Sequence, residues 1–204
     1  MKLLLASAAA YLLGAIPFGL LLSRTLGNRD PREFGSGNIG ATNVLRTSGR
    51  LVGALTLFAD VAKGAIPVAI AIGLSGSELI IACVALAAFL GHIFPIYLKF
   101  QGGKGVATMF GVILPWQPLI AVAAFAFWLL VLAVGRYVSL ASILSGASMP
   151  LFAWLLDAST AGIITTLLLA VIMIIRHSNN IRRLLAHEEP TIHQDKKERM
   201  VEDK

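Results

Sequence analysis

The chain has 204 residues, 57% hydrophobic and only 14% charged, where soluble proteins carry roughly 25% charged residues. A mean hydropathy of +0.80 leaves more apolar surface than a soluble domain of this size could hide, and it also excludes disorder, coiled coil and a disulfide scaffold. The net charge of +6 comes from basic residues set mostly between apolar runs, which fits membrane orientation and argues against nucleic-acid binding.

The first run, from Leu3 to Leu22, exceeds the roughly 7–15 residues of a signal-peptide core and reads as a span. A spanning helix needs about 20 apolar residues. The stretches 3–23, 51–74, 78–98, 117–135 and 138–157 satisfy this, and 160–175 is slightly short but uncharged. Between Gly105 and Leu114, ahead of Pro115, lies a ten-residue apolar piece. It would rise about 15 Å, half a bilayer. The runs do not alternate at period two, so helices are expected and a barrel is not.

Positive charge gathers in 24–50, 99–104 and the seven Lys or Arg from Arg176 onward, and is missing from Ser75–Glu78 and Asp157–Thr160. By the positive-inside rule the basic segments face the cytoplasm, with the N-terminus outside and the C-terminus inside. That pattern needs 105–114 to cross. The expected fold is therefore all-α and polytopic, about seven transmembrane helices with one short, in a single membrane-embedded domain over 1–204. A polar, solvated tail is expected from 187 to 204.

Three segments on the expected cytoplasmic side carry the polar chemistry. The first packs Ser36, Gly37, Asn38, Gly40, Thr42 and Asn43 ahead of Arg46. Glycines let backbone N–H groups converge on an anion, Asn, Ser and Thr add neutral donors, and Arg offers a fork matched to phosphate. A plain surface loop with a topology-setting Arg has the same composition. The second, Gly102, Gly103, Lys104 and Gly105, opens the short apolar piece, so helix N–H groups and a cation would meet there. It lacks the G-x-x-x-x-G-K-[ST] spacing, which argues against nucleotide hydrolysis. The third runs from Arg176 through His177, Asn180 and Arg183, spaced by three and so on one face of a continuing helix. Alone, His177 reads as an interfacial residue. Beside two phosphate-binding loops it becomes a candidate for proton transfer.

Asp60 and Lys63 lie deep in the second span at salt-bridge spacing and read as a structural pair, with substrate contact as the other option. His92, before Pro95, reads as a packing residue. Tyr137, Ser139 and Ser142 are weak candidates for lining the cytoplasmic-side cavity. No carboxylate stands at ligand spacing from the histidines, and Cys83 is the lone cysteine, so neither a metal site nor a cofactor is expected.

Together, SGNIGATNVLR, GGKGVAT and the stretch from Arg176 to Glu189 resemble the bacterial membrane-embedded acyltransferases that use acyl phosphate as donor to glycerol 3-phosphate. The likeness covers nearly the whole chain in length, span order and motif order. It departs at His187, where that family usually has Gly, which bears on the turn after the third motif. The resemblance implies transfer of a fatty acyl group from acyl phosphate to the sn-1 hydroxyl of glycerol 3-phosphate. The products would be lysophosphatidic acid and phosphate, made at the cytoplasmic face of the bacterial inner membrane. It assigns glycerol 3-phosphate chiefly to the Gly103–Lys104 loop, and assigns Ser36, Arg46, His177 and Asn180 to the donor phosphate and the acyl carbonyl. The proton is left to either His177 or the departing phosphate. Peripheral glycerolipid acyltransferases usually carry His-x-x-x-x-Asp, and none of the histidines here has Asp five residues on. The rival reading is a transporter of a small anion or lipid precursor, for which repeated span groups and midplane breaks would speak. Whether the tail contacts the soluble enzyme that makes acyl phosphate is left open by the sequence.

Overall fold

The structure, a computed structural model, describes residues 1–27 and 29–192, and among these it contains helices and turns and no strand. The first apolar run divides at Pro17, which has no amide hydrogen to continue a helical ladder: α1 covers Lys2–Gly14 and α2 Phe18–Leu26. A short α3 (Ala41–Thr47) lies inside the segment expected to be loop. Then come α4 (Arg50–Ser75), α5 (Glu78–Ile93), a 3₁₀ turn at Ile96–Leu98, and α6 (Val106–Ile113). The chain continues through α7 (Pro118–Gly135), α8 (Val138–Leu155), α9 (Thr160–Arg176) and α10 (Ser178–Leu185).

Five of these stretches are long and apolar enough to cross a membrane: Lys2–Leu26, Arg50–Leu74, Glu78–Leu98, Pro118–Gly135 and Val138–Leu155. The α9–α10 pair makes a sixth, bent by 60° at His177. Helix α6 has eight residues, about 12 Å of rise. Its segment nevertheless runs from one end of α5 to the other. Gly105 lies against Phe89 and Ile93, and Trp116 donates its indole N–H to Glu78 Oε1 at 3.4 Å. The expected count of seven rests on this piece.

Helix α5 sits at the centre. Val84, Ala85, Ala88, Phe89 and Ile93 are sealed against Met109, Met149, Leu169 and Met173, while Phe58, Leu74, Leu119 and Val134 point outward. The outward apolar side chains suit lipid, where association depends on close packing of small residues. Gly14 and Gly91 supply it between α1 and α5: a Cβ on either would overlap the carbonyl of Ala88 or Tyr11. At the Glu78 end, the carboxylate also accepts the Ser159 hydroxyl at 2.7 Å, tying α5 to the start of α9.

Candidate active site

At the other end of α5 the three polar segments meet around a cavity of about 250 Å³. Ser36, Gly37, Asn38, Lys104, Asn180 and Arg183 line it, joined by Ile175, Arg176, Ser178 and Asn179. Six sequence candidates thus share one wall. The others do not line it.

In the first segment the loop is wound around Asn43. Its buried amide donates to the carbonyls of Pro31 (2.7 Å), Phe34 (3.2 Å) and Asn38 (2.8 Å), and its Oδ1 accepts the Ser36 N–H at 2.9 Å. The donors of Asn43 are therefore spent on backbone, and the side chain organises the loop that presents Ser36. Asn38 Oδ1 accepts the Gly40 N–H at 2.9 Å, where α3 begins, and Thr42 is on the first turn of α3, away from the cavity wall. Arg46 lies in the last turn of α3, and its charge acts on Lys104. Upstream, Asp30 accepts from Arg24 and Arg32 at 2.7 and 2.6 Å, and the Arg32 guanidinium holds its carboxyl well below the usual carboxylate range. Two of the basic residues of this segment are so occupied away from the cavity.

The second segment departs from a free N–H cradle. The Gly103 N–H donates to the His92 carbonyl at 3.2 Å. Arg176 reaches over to the Gly102 carbonyl at 2.9 Å and the Gly103 carbonyl at 3.3 Å. Gly105 has φ +87°, which L side chains rarely adopt, and a Cβ there would strike Phe89. What the loop offers the cavity is Lys104, with no carboxylate of the described residues paired to it. Burial brings the ammonium down to about 8, helped by Arg183, Arg46 and Arg176 and opposed by Glu189.

In the third segment the helix does not continue; it bends at His177, which ends α9 and begins α10. His177 is buried, and Nδ1 lies 2.8 Å from the Met173 carbonyl. A carbonyl only accepts, so Nδ1 carries the proton and Nε2 is left as the acceptor in the neutral ring. Asn180 and Arg183 keep their common face on α10, clamped by a residue sequence reasoning left out of the site: Glu189 accepts from Asn180 Nδ2 at 2.6 Å and from Arg183 Nε at 2.7 Å. Burial works to raise the Glu189 carboxyl, but the Ser139 hydroxyl, the Asn180 amide and the Arg183 guanidinium outweigh it and hold the group below its ordinary value. With its amide donating to Glu189, Asn180 has a buried Oδ1 with no hydrogen-bond partner.

The turn that returns Glu189 to the site runs through His187, at φ +57°. The Glu188 N–H bonds the Arg183 carbonyl (2.8 Å) and the His187 N–H that of Leu184 (3.2 Å). This is a Schellman ending, and its left-handed residue is where glycine fits best. The tail expected to be solvated from 187 is thus docked at least to Ile192, whose N–H bonds the Arg136 carbonyl at 3.0 Å. Its remaining residues lie outside those described. Of the weak candidates, Ser142 is engaged with Val138 and Trp128.

Lys104, Arg176 and Arg183 therefore line the cavity, the charge of Arg46 also reaches Lys104, and among the described residues one carboxylate, Glu189, opposes them. A polytopic membrane protein with a cationic recess built at one end of its bundle is equipped to take an anion beside lipid. The comparisons agree. A family model described as glycerol-3-phosphate acyltransferase matches residues 4–187. Glycerol-3-phosphate acyltransferases of Syntrophotalea carbinolica and Geobacter sulfurreducens are 49% and 50% identical, over 87% and 89% of this chain and 91% and 93% of theirs. The crystal structure of PlsY (YgiH), an integral membrane glycerol 3-phosphate acyltransferase, in its glycerol 3-phosphate form superposes with a TM-score of 0.90 at 39% identity, covering 94% of this chain and 96% of that one. Its lysophosphatidic acid form gives 0.88 at 37%. The chain belongs to the glycerol-3-phosphate acyltransferase family and is an integral-membrane acyltransferase.

Proposed function

We propose that this protein transfers a fatty acyl group from acyl phosphate to the sn-1 hydroxyl of glycerol 3-phosphate, at the cytoplasmic face of a bacterial inner membrane. On this reading the N-terminus is outside and the C-terminus inside. The observation that carries it is that Lys104, Arg176 and Arg183 line one polar cavity at the edge of an apolar bundle. Both proposed substrates are phosphorylated, and one carries an acyl chain. The crystallised relative is described with glycerol 3-phosphate and with lysophosphatidic acid, which supports acceptor and product.

The chemistry needs no acyl-enzyme. The acceptor oxygen attacks the acyl carbon, the new ester C–O bond forms, and the acyl C–O bond to phosphate breaks. Phosphate leaves with that electron pair and takes up the hydroxyl proton. Lys104 and the arginines oppose the negative charge that gathers on the phosphate and the acyl oxygen. The departing phosphate is an oxyanion already beside the hydroxyl, which favours it as proton acceptor and leaves His177 to orient.

The test is an assay of detergent-purified protein with acyl phosphate and radiolabelled glycerol 3-phosphate, without CoA or carrier protein. The expected result is lysophosphatidic acid from the wild type and a strongly reduced yield from a folded His177→Ala. A well-folded wild type that yields no product overturns the reading.

A further inference from the structure

A second group of charges lies inside the bundle, away from the cavity wall. Asp60, Lys63 and His92 are each no more than 4% exposed. Asp60 Oδ1 is 2.8 Å from Lys63 Nζ and 3.7 Å from His92 Nδ1. Lys63 also donates at 2.9 Å to the Ile16 carbonyl, beside Pro17 where the first span is interrupted. Charges at such depth are costly, and a well-packed apolar replacement is often as stable, so their presence asks for a further use.

The ring of His92 supplies one. A Cβ on Gly103 would overlap its Nε2, with Cε1 and Cδ2 next nearest, so the imidazole lies directly on the Gly103 backbone. The His92 carbonyl receives the Gly103 N–H, and Arg176 grips the Gly102 and Gly103 carbonyls. Two consecutive glycines have no side chains of their own to hold them. Here they are pressed between an imidazole and a guanidinium, and the next residue is Lys104.

We infer that His92, packed beside the buried Asp60–Lys63 pair, is a positioning residue that sets the Gly102–Gly103 backbone and so aims Lys104 into the cavity. The inference rests on the function proposed above, with Lys104 meeting the phosphate of the acceptor.

The test uses the two halves of the imidazole. His92→Asn retains an amide at the Nδ1 position beside Asp60 and removes the edge that touches Gly103. His92→Gln places its amide near Nε2 and retains that edge. In the assay above, the KM for glycerol 3-phosphate is expected to rise about 10-fold in His92→Asn and stay within about 3-fold of wild type in His92→Gln, with kcat within about 3-fold in both. Gly103→Ala, which leaves the buried ions untouched, should raise the same KM about 10-fold in the wild-type background. It should add less than about 2-fold on top of His92→Asn, because the space has been vacated. An unchanged KM in folded His92→Asn, or penalties that multiply, overturns the inference alone. If His92→Asn does not fold, a wild-type KM in Gly103→Ala overturns it and a raised one supports it. An inactive wild type overturns this inference together with the reading beneath it.

Discussion

Two charge groups of the molecule, one buried in the core and one half-exposed at the cavity, are built on opposite rules. In the core, Asp60 and Lys63 face each other at 2.8 Å with exposures of 2%, and His92 closes the group. At the cavity, Lys104, Arg176 and Arg183 outnumber Glu189 among the described residues, and Glu189 is already committed to Asn180 and Arg183. In a balanced cluster the opposite charges offset one another. A surplus of one sign around a space is a site awaiting the opposite sign. The difference lies in whether the charges cancel before a substrate arrives.

The sharpest break of this contrast is to unbalance the core. Lys63→Met strands the Asp60 carboxylate and is expected to cost about 3–5 kcal/mol. The double replacement Asp60→Leu and Lys63→Met should recover most of that loss, as read by thermal unfolding in detergent. At the cavity the opposite holds: Lys104→Ala should leave the melting temperature near wild type and lower kcat/KM by about 10²-fold or more.

A gentler test uses pH. Lys104 loses its proton as pH rises through about 8, so its attraction for an anion is complete below that value and fades above it. The KM for glycerol 3-phosphate should climb between pH 7.5 and about 9 in the wild type and less steeply in Lys104→Arg, whose guanidinium stays charged. The smallest effect belongs to the turn. His187→Gly should stabilise the folded protein by about 1 kcal/mol, since a left-handed backbone costs an L residue roughly 1–2 kcal/mol. Equilibrium unfolding of the two proteins checks it.

The apolar runs and polar motifs were legible because both are local: twenty uncharged residues declare a span, and SGNIG followed by Arg declares a loop with donors. The Asp60–Lys63 pair was legible for the same reason, being three apart on one helix. What stayed hidden depends on residues distant in sequence. Nothing near Asn43 announces that its amide will be consumed by Pro31, Phe34 and Asn38. Glu189 lay in a tail whose balanced charge suggested solvent, and only the left-handed turn at His187 brings it back. The bend at His177 is similarly unmarked, as no proline or glycine stands there. His92 touches Gly103 because a chain reversal at Phe94–Gln101 returns the backbone beneath the ring.

Arg176 spans to the carbonyls of Gly102 and Gly103, and Ser36 shares a wall with Asn180. That wall therefore joins residues about 140 positions apart, with the spans between them in the chain. During biosynthesis the intervening helices must be inserted and docked before the recess exists. A chain that has placed only its first polar segment thus has one side of the recess and not the other.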